Sequence, residues 1–176
     1  MLENTTGLRW IISAGGPLIL MESSLLLSWK GVFGSRGEES QTSDYDRACA
    51  VDDYVGLIPV DEDFALVFGQ EPMDTSWLPL SDTQGLIIRW VWANSEKQVE
   101  EVFEKFSLEQ NWLDTGLKIE FKTENLILFD SASKGDSIKD FLQLNIGQGV
   151  YKVQTLFYVP NEEISLILHK VDKIKN

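Results

Sequence analysis

The stretch GVYKVQTLFYVPNEEISLILHKV runs from Gly149 to Val171. Two runs rich in β-branched and aromatic residues flank Pro160-Asn161-Glu162-Glu163. Such runs favour strands, and a polar segment with Pro and Asn is turn chemistry. The stretch predicts two antiparallel strands joined by a short turn. Upstream, FLQLNI leads into a Gly147–Gly149 turn, and LKIEFK alternates with period two before NLILFD, across Thr123-Glu124-Asn125. LIIRWVW, Leu86 to Trp92, is bounded by Gly85 and Asn94, and regular alternation puts Trp90 and Trp92 on one face. GLIPV and FALVF are split by the acidic turn Asp61-Glu62-Asp63. Arg9–Ala14 and Pro17–Met21 read as strands about Gly15-Gly16. One amphipathic helix is clear, over 95–106: Ser95 caps it, Gln98 completes a capping box, and Val99, Val102, Phe103 and Phe106 form one stripe. Short helices are expected in ESSLLLSW and over Asp44–Asp53, where Ser43 is the N-cap and Asp46 stands three residues on. Strands and helices do not alternate regularly, so the fold class is α+β with a mostly antiparallel β-sheet. No repeat or composition break divides residues 1–176, read as a single domain with an exposed loop over Gly34–Ser43.

The chain has 176 residues, of which 43% are hydrophobic, enough for one core without disulfide staples. The formal net charge is −13. Phosphate backbones and anionic membranes are bound by Lys and Arg, so neither nucleic acid nor a membrane surface is an expected partner. A basic protein or a cation is attracted, and solubility alone is the plain alternative. One cysteine makes no intramolecular disulfide, and one Cys with one His builds no zinc site. No apolar run reaches the length of about 20 residues that a membrane span needs, and nothing resembles a signal peptide, so a cytoplasmic location is expected.

Acidic residues concentrate between Glu38 and Asp63, against the single Arg47. Asp44-x-Asp46 begins like a calcium loop, but Ala48 and Cys49 stand where ligands and the turn glycine belong, so no metal is expected. At a helix start Asp44 and Asp46 complement the macrodipole. Asp52 and Asp53 fall at the opposite end, so they face a partner or pair with Arg47 or Arg89. Asp61, Glu62 and Asp63 read as a solvated turn. Tyr45, Ala48 and Cys49 share a helix face, and Cys49 between two alanines reads as a small packed residue rather than a nucleophile. His169 reads as an ordinary strand side chain. SAGGP and GQGVY lack the Lys and Ser/Thr of phosphate loops and are better read as turns. The six tryptophans are core or interface anchors, with Trp77 among those beside loops or element ends.

RWIISAGGPLILM, DYDRACAVDDYVGLIPV, ALVFGQEPMDTSWLP, IIRWVWANSE and NLILFDSA occur in this order, followed by the Gly149–Val171 stretch. Together they resemble the immunity protein 21 family of bacterial polymorphic toxin systems, over roughly Leu8 to Val171. DYDRACAVDDYVGLIPV is the most specific of these segments. The resemblance implies a role rather than a reaction. Such a protein is made beside a toxin domain and neutralises it, and no catalytic residue, cofactor or metal follows. With the acidic charge it yields an expectation of stoichiometric inhibition of a basic toxin domain, a nuclease fitting best. The expected contact residues are Asp44, Tyr45, Asp46, Arg47, Asp52, Asp53, Asp61, Asp63 and Trp77. A small acidic hydrolase using Asp44 or Asp46, and an adaptor domain, remain the alternatives. Oligomeric state is not readable from the sequence.

Overall fold

A computed structural model describes residues 7–36 and 42–175. The expected loop over Gly34–Ser43 falls partly outside them, as do Glu38 and Glu39. Eleven strands and two α-helices are defined among the described residues. They are β1 (Trp10–Ile11), β2 (Leu18–Glu22), α1 (Asp44–Cys49), β3 (Gly56–Val60), β4 (Asp63–Phe68), β5 (Thr75–Ser81), β6 (Gln84–Trp92), α2 (Glu96–Glu104), β7 (Leu113–Phe121), β8 (Asn125–Asp130), β9 (Phe141–Asn145), β10 (Gly149–Asn161) and β11 (Ile164–Lys173). Short 3-10 segments cover Ser23–Leu25, Gly31–Arg36 and Gly135–Ser137.

The strands form two antiparallel sheets, one in the order β1-β5-β6-β11-β10-β7 and one in the order β3-β4-β2-β8-β9. The α+β class with a mostly antiparallel sheet holds. The hairpin at Pro160–Glu163 forms as expected, with Tyr158 opposite Leu166 and Thr155 opposite His169. The connections at Thr123–Asn125 and Gly147–Gly149 are different. Each carries the chain from one sheet to the other, because β7 and β10 belong to the six-stranded sheet and β8 and β9 to the five-stranded one.

The sheets pack face to face through Leu18, Leu20, Leu66, Phe68, Leu126 and Leu128 on one side and Ile87, Phe121, Tyr151 and Val153 on the other. The opposite face of the five-stranded sheet is apolar too. Ile19, Met21, Ala65, Val67, Ile127 and Phe129 pack there with Trp29, Leu25 and Ala48 from the helical segments. The opposite face of the six-stranded sheet presents Leu86, Ile88, Leu166 and Leu168 to Val99 and Phe103 of α2. Runs such as LILM and ALVF are apolar throughout because their strands are buried on both faces.

Several expected boundaries move. The Arg9–Ala14 strand shortens to Trp10–Ile11. Strand β5 was not expected, because Pro79 and two serines dilute the apolar pattern of TSWLPLS. Pro79 is exposed, and β5 is held through its pairing with β6. Helix α2 ends at Glu104, and Phe106 packs beyond it. Ser95 Oγ accepts from Gln98 N, but the Gln98 carboxamide oxygen accepts from Asn94 N at 3.1 Å, so the capping box does not close.

His169 is fully buried, with Nδ1 2.9 Å from Thr155 Oγ1 and its ring tilted against Phe68. Burial, and then the nearby Arg89 charge, hold its pKa well below the usual histidine value. The unfolded chain therefore binds a proton below about pH 6.5 that the folded chain does not. His169 costs no stability above that pH and progressively more below it, at up to about 1.4 kcal/mol per pH unit. Denaturation midpoints measured from pH 7.5 down to 5 are expected to fall, and His169→Gln is expected to flatten that decline.

Candidate binding surface

The acidic segment starts with well-satisfied helix chemistry. Ser43 has an extended backbone, and its Oγ accepts from Asp46 N at 3.1 Å while Asp46 Oδ2 accepts from Ser43 N at 3.1 Å. Both partners of a capping box are thus present. Asp44 forms an ion pair with Arg47. The Arg47 guanidinium also donates to Thr42 O at 2.8 Å and to Pro59 O at 3.3 Å, tying α1 to β3. Helix α1 stops at Cys49 rather than Asp53, as Ala50 N and Val51 N turn back to Asp46 O and Ala48 O. The buried position is Ala48, and Cys49 is exposed, which corrects its reading as a packed residue. Tyr45 packs against the apolar outer face of the five-stranded sheet, and its hydrogen bond to Cys49, with burial second, pushes its pKa up to about 12.

Asp52 and Asp53 are exposed in the loop between α1 and β3. Neither pairs with an arginine among the described ion pairs. Asp53 Oδ1 accepts from Tyr54 N at 2.7 Å, and Asp52 O accepts from the Gln70 side chain. The β3–β4 hairpin pairs Gly56 with Val67 and Val60 with Asp63. Asp52 and Asp53 therefore lie by the open end of that hairpin, while Asp61, Glu62 and Asp63 form its tip. Asp61 adopts φ +52° there, a conformation aspartate tolerates in turns. Asp63 pairs with Lys122, which raises the lysine pKa. Trp77 stands apart on β5 in the other sheet. Its indole covers Gly85 on β6, where a Cβ would lie 2.0 Å from Trp77 Cη2. It lines a cleft of about 340 Å³ with Leu8, Arg9, Leu142 and Gln143.

The carboxylates buried most deeply are ones the sequence did not single out. Glu22 accepts from the backbone of Lys122 and Thr123, and Asp130 accepts from Ala14 N at 2.6 Å and Ala132 N at 2.8 Å. Both pin connections between strands. Among the described residues no group of three or more His, Cys, Asp or Glu is placed to hold a metal ion. No helix among them is long and apolar enough to cross a membrane.

The most distinctive surface lies at one end of the six-stranded sheet. A register shift between Leu166↔Trp90 and Ser165↔Trp92 makes a bulge at Val91. Directly paired residues share a face. Trp90, opposite Leu166, packs under α2. Trp92, opposite Ser165, turns to the other face, which corrects the expectation that the two indoles lie together. Phe157 of β10 lies on that inner face, since Thr155 two residues earlier bonds buried His169, and Val159 follows it where the register with β11 shifts between Tyr158 and Asn161. Trp92, Phe157 and Val159 are 58%, 47% and 62% exposed, while Ile167 beside Phe157 is 3% exposed. The border of this end is fixed by Arg89, which is buried in register with Ile167. Its guanidinium donates to Tyr54 O at 3.0 Å, Gly69 O at 2.8 Å and Glu71 O at 3.1 Å, with Phe68 O at 3.5 Å. Burial lowers its pKa to about 10, so it stays charged at neutral pH. Tyr54, held in this way, stacks edge-on against Phe157 at 5.0 Å. The sequence signal was the shared apolar character of VW and LFYV, which looks the same whether a strand is covered or bare.

These elements define an α+β sandwich of two antiparallel sheets, each covered outside by helical segments, with the six-stranded sheet bare at one end. The chain belongs to the immunity protein 21 family, whose sequence profile matches residues 9–164. No curated protein and no solved structure matches it.

Proposed function

We propose that the chain is the cytoplasmic antidote to a bacterial polymorphic toxin, binding the toxin domain one to one and blocking it. Membership of the immunity protein 21 family over residues 9–164 carries this reading. A net charge of −13 favours a basic toxin domain, such as one that acts on nucleic acid. Inhibition then rests on coverage, through an interface of roughly 1,600 Å² in total. Co-expression with the toxin domain encoded beside the gene is expected to protect cells and to give a complex that survives purification. Unprotected cells and separately eluting proteins would count against it.

The exposed acids at the two ends of the β3–β4 hairpin contribute attraction at a distance rather than tight contacts. Changing Asp52, Asp53 and Asp61 together to asparagine is expected to slow association on the order of tenfold at low salt and to flatten its salt dependence, with dissociation little changed. Stopped-flow mixing at two ionic strengths reads this directly, and rates indifferent to the substitutions would assign the acids to solubility alone.

A further inference from the structure

We propose that the toxin domain docks on the bare end of the six-stranded sheet, with Trp92, Phe157 and Val159 as its apolar anchors. This rests on the toxin-binding reading above and names the surface and the chemistry it accepts. Three observations carry it.

The first is the break in burial along one sheet face. Thr155 of β10 is 5% exposed and Ile167 beside Phe157 is 3% exposed, yet Phe157, the next position on that face of β10, is 47% exposed, and Trp92 at the end of β6 is 58% exposed. An aromatic and β-branched group left bare in this way marks an interaction site, and tryptophan is the residue most enriched among binding hot spots. The second is rigidity. Arg89 clamps the carbonyls of Tyr54, Gly69 and Glu71, and Tyr54 braces Phe157. A surface already held in place loses less entropy on binding. The third is charge. The segments forming or flanking this end are 51–54, 69–74, 90–95, 113–115 and 156–165. They carry Asp52, Asp53, Glu71, Asp74, Asp114 and the Glu162-Glu163 pair, against buried Arg89 at the border and Lys97 in the first turn of α2, which pairs with Glu101. The matching partner is a protein face with an apolar centre ringed by Lys and Arg. A second copy of this chain would bring like charges together, which argues against self-association. An anionic membrane is repelled for the same reason.

The test titrates the full chain against the toxin domain encoded beside its gene, by calorimetry at fixed ionic strength. Trp92→Ala and Val159→Arg are each expected to weaken binding by about 30-fold or more. Phe64→Ala, which removes a 52% exposed aromatic from the five-stranded sheet, is expected to bind within about threefold of the unaltered chain. Because Trp92 is exposed, its alanine variant is expected to melt within a few degrees of the original. If Trp92→Ala does lower the melting temperature, the Val159→Arg arm decides. Unaltered affinity in both variants, beside tight binding by the original chain, would overturn this surface and leave the toxin reading standing. No binding by the original chain would remove the toxin reading and this inference with it. A concentration-dependent dimer of the chain alone, abolished by Val159→Arg, would assign the face to a second copy and overturn the proposal.

Discussion

Replacing Arg89 with alanine is expected to destabilise the fold by about 3–5 kcal/mol, among the largest effects of any single substitution in this chain. The guanidinium is 1% exposed and has no carboxylate partner among the described ion pairs. Its charge is instead spread over backbone carbonyls of the 54 and 68–71 segments. Five fixed donors on a planar fork suit that task, which a lysine ammonium does not reproduce. Alanine leaves those acceptors facing a cavity in place of a donor, and both terms add. Arg89→Lys is expected to recover only part of the loss. Urea midpoints of the three proteins read the difference, and a change below about 1 kcal/mol for alanine would mean that water or a rearranged loop satisfies the carbonyls. The same substitution frees Tyr54 from its brace on Phe157, so toxin affinity is expected to fall with stability.

Trp29→Ala is expected to cost a similar amount, about 3–5 kcal/mol. Trp29 is fully buried between the helical segments and the five-stranded sheet, edge-on to Phe129 at 6.3 Å. Its Nε1 donates to Ser131 O at 2.9 Å, and its backbone carbonyl accepts from Gly135 N at 3.0 Å. One side chain thus anchors the Leu25–Gly31 segment over the sheet and fixes the chain after β8. Phenylalanine at this position is expected to restore much of the packing but to leave Ser131 O without its donor, and so to fall between the two. Thermal melts of the series read this order directly, and an alanine variant that melts with the original would show that the segment is anchored elsewhere.

Local chemistry was legible in the sequence where it closes on itself within a few residues. Ser43 and Asp46 announce their own capping box, and the Pro160–Glu163 turn joins two strands that pair directly. Sheet membership was not legible. A short connection such as Thr123–Asn125 looks like a hairpin turn, and only packing decides that β7 and β8 go to different sheets. Period-two reasoning also fails at an unseen bulge: one extra residue at Val91 sends Trp92 to the face opposite Trp90. The acidic residues that drew most notice divide into kinds the sequence could not separate. Asp44, Asp46 and Asp63 are engaged within the fold, whereas Asp52, Asp53 and Asp61 are exposed. Burial reverses expectation at Cys49, which is exposed, whereas His169 is a strand side chain as read, here fully buried in β11.

Toxin neutralisation is tested most directly by titrating the activity of the toxin domain encoded beside the gene with the purified chain. Activity is expected to fall linearly and to vanish at one chain per toxin domain, with the Trp92→Ala chain needing a large excess. Full toxin activity in a tenfold excess of the unaltered chain would contradict it.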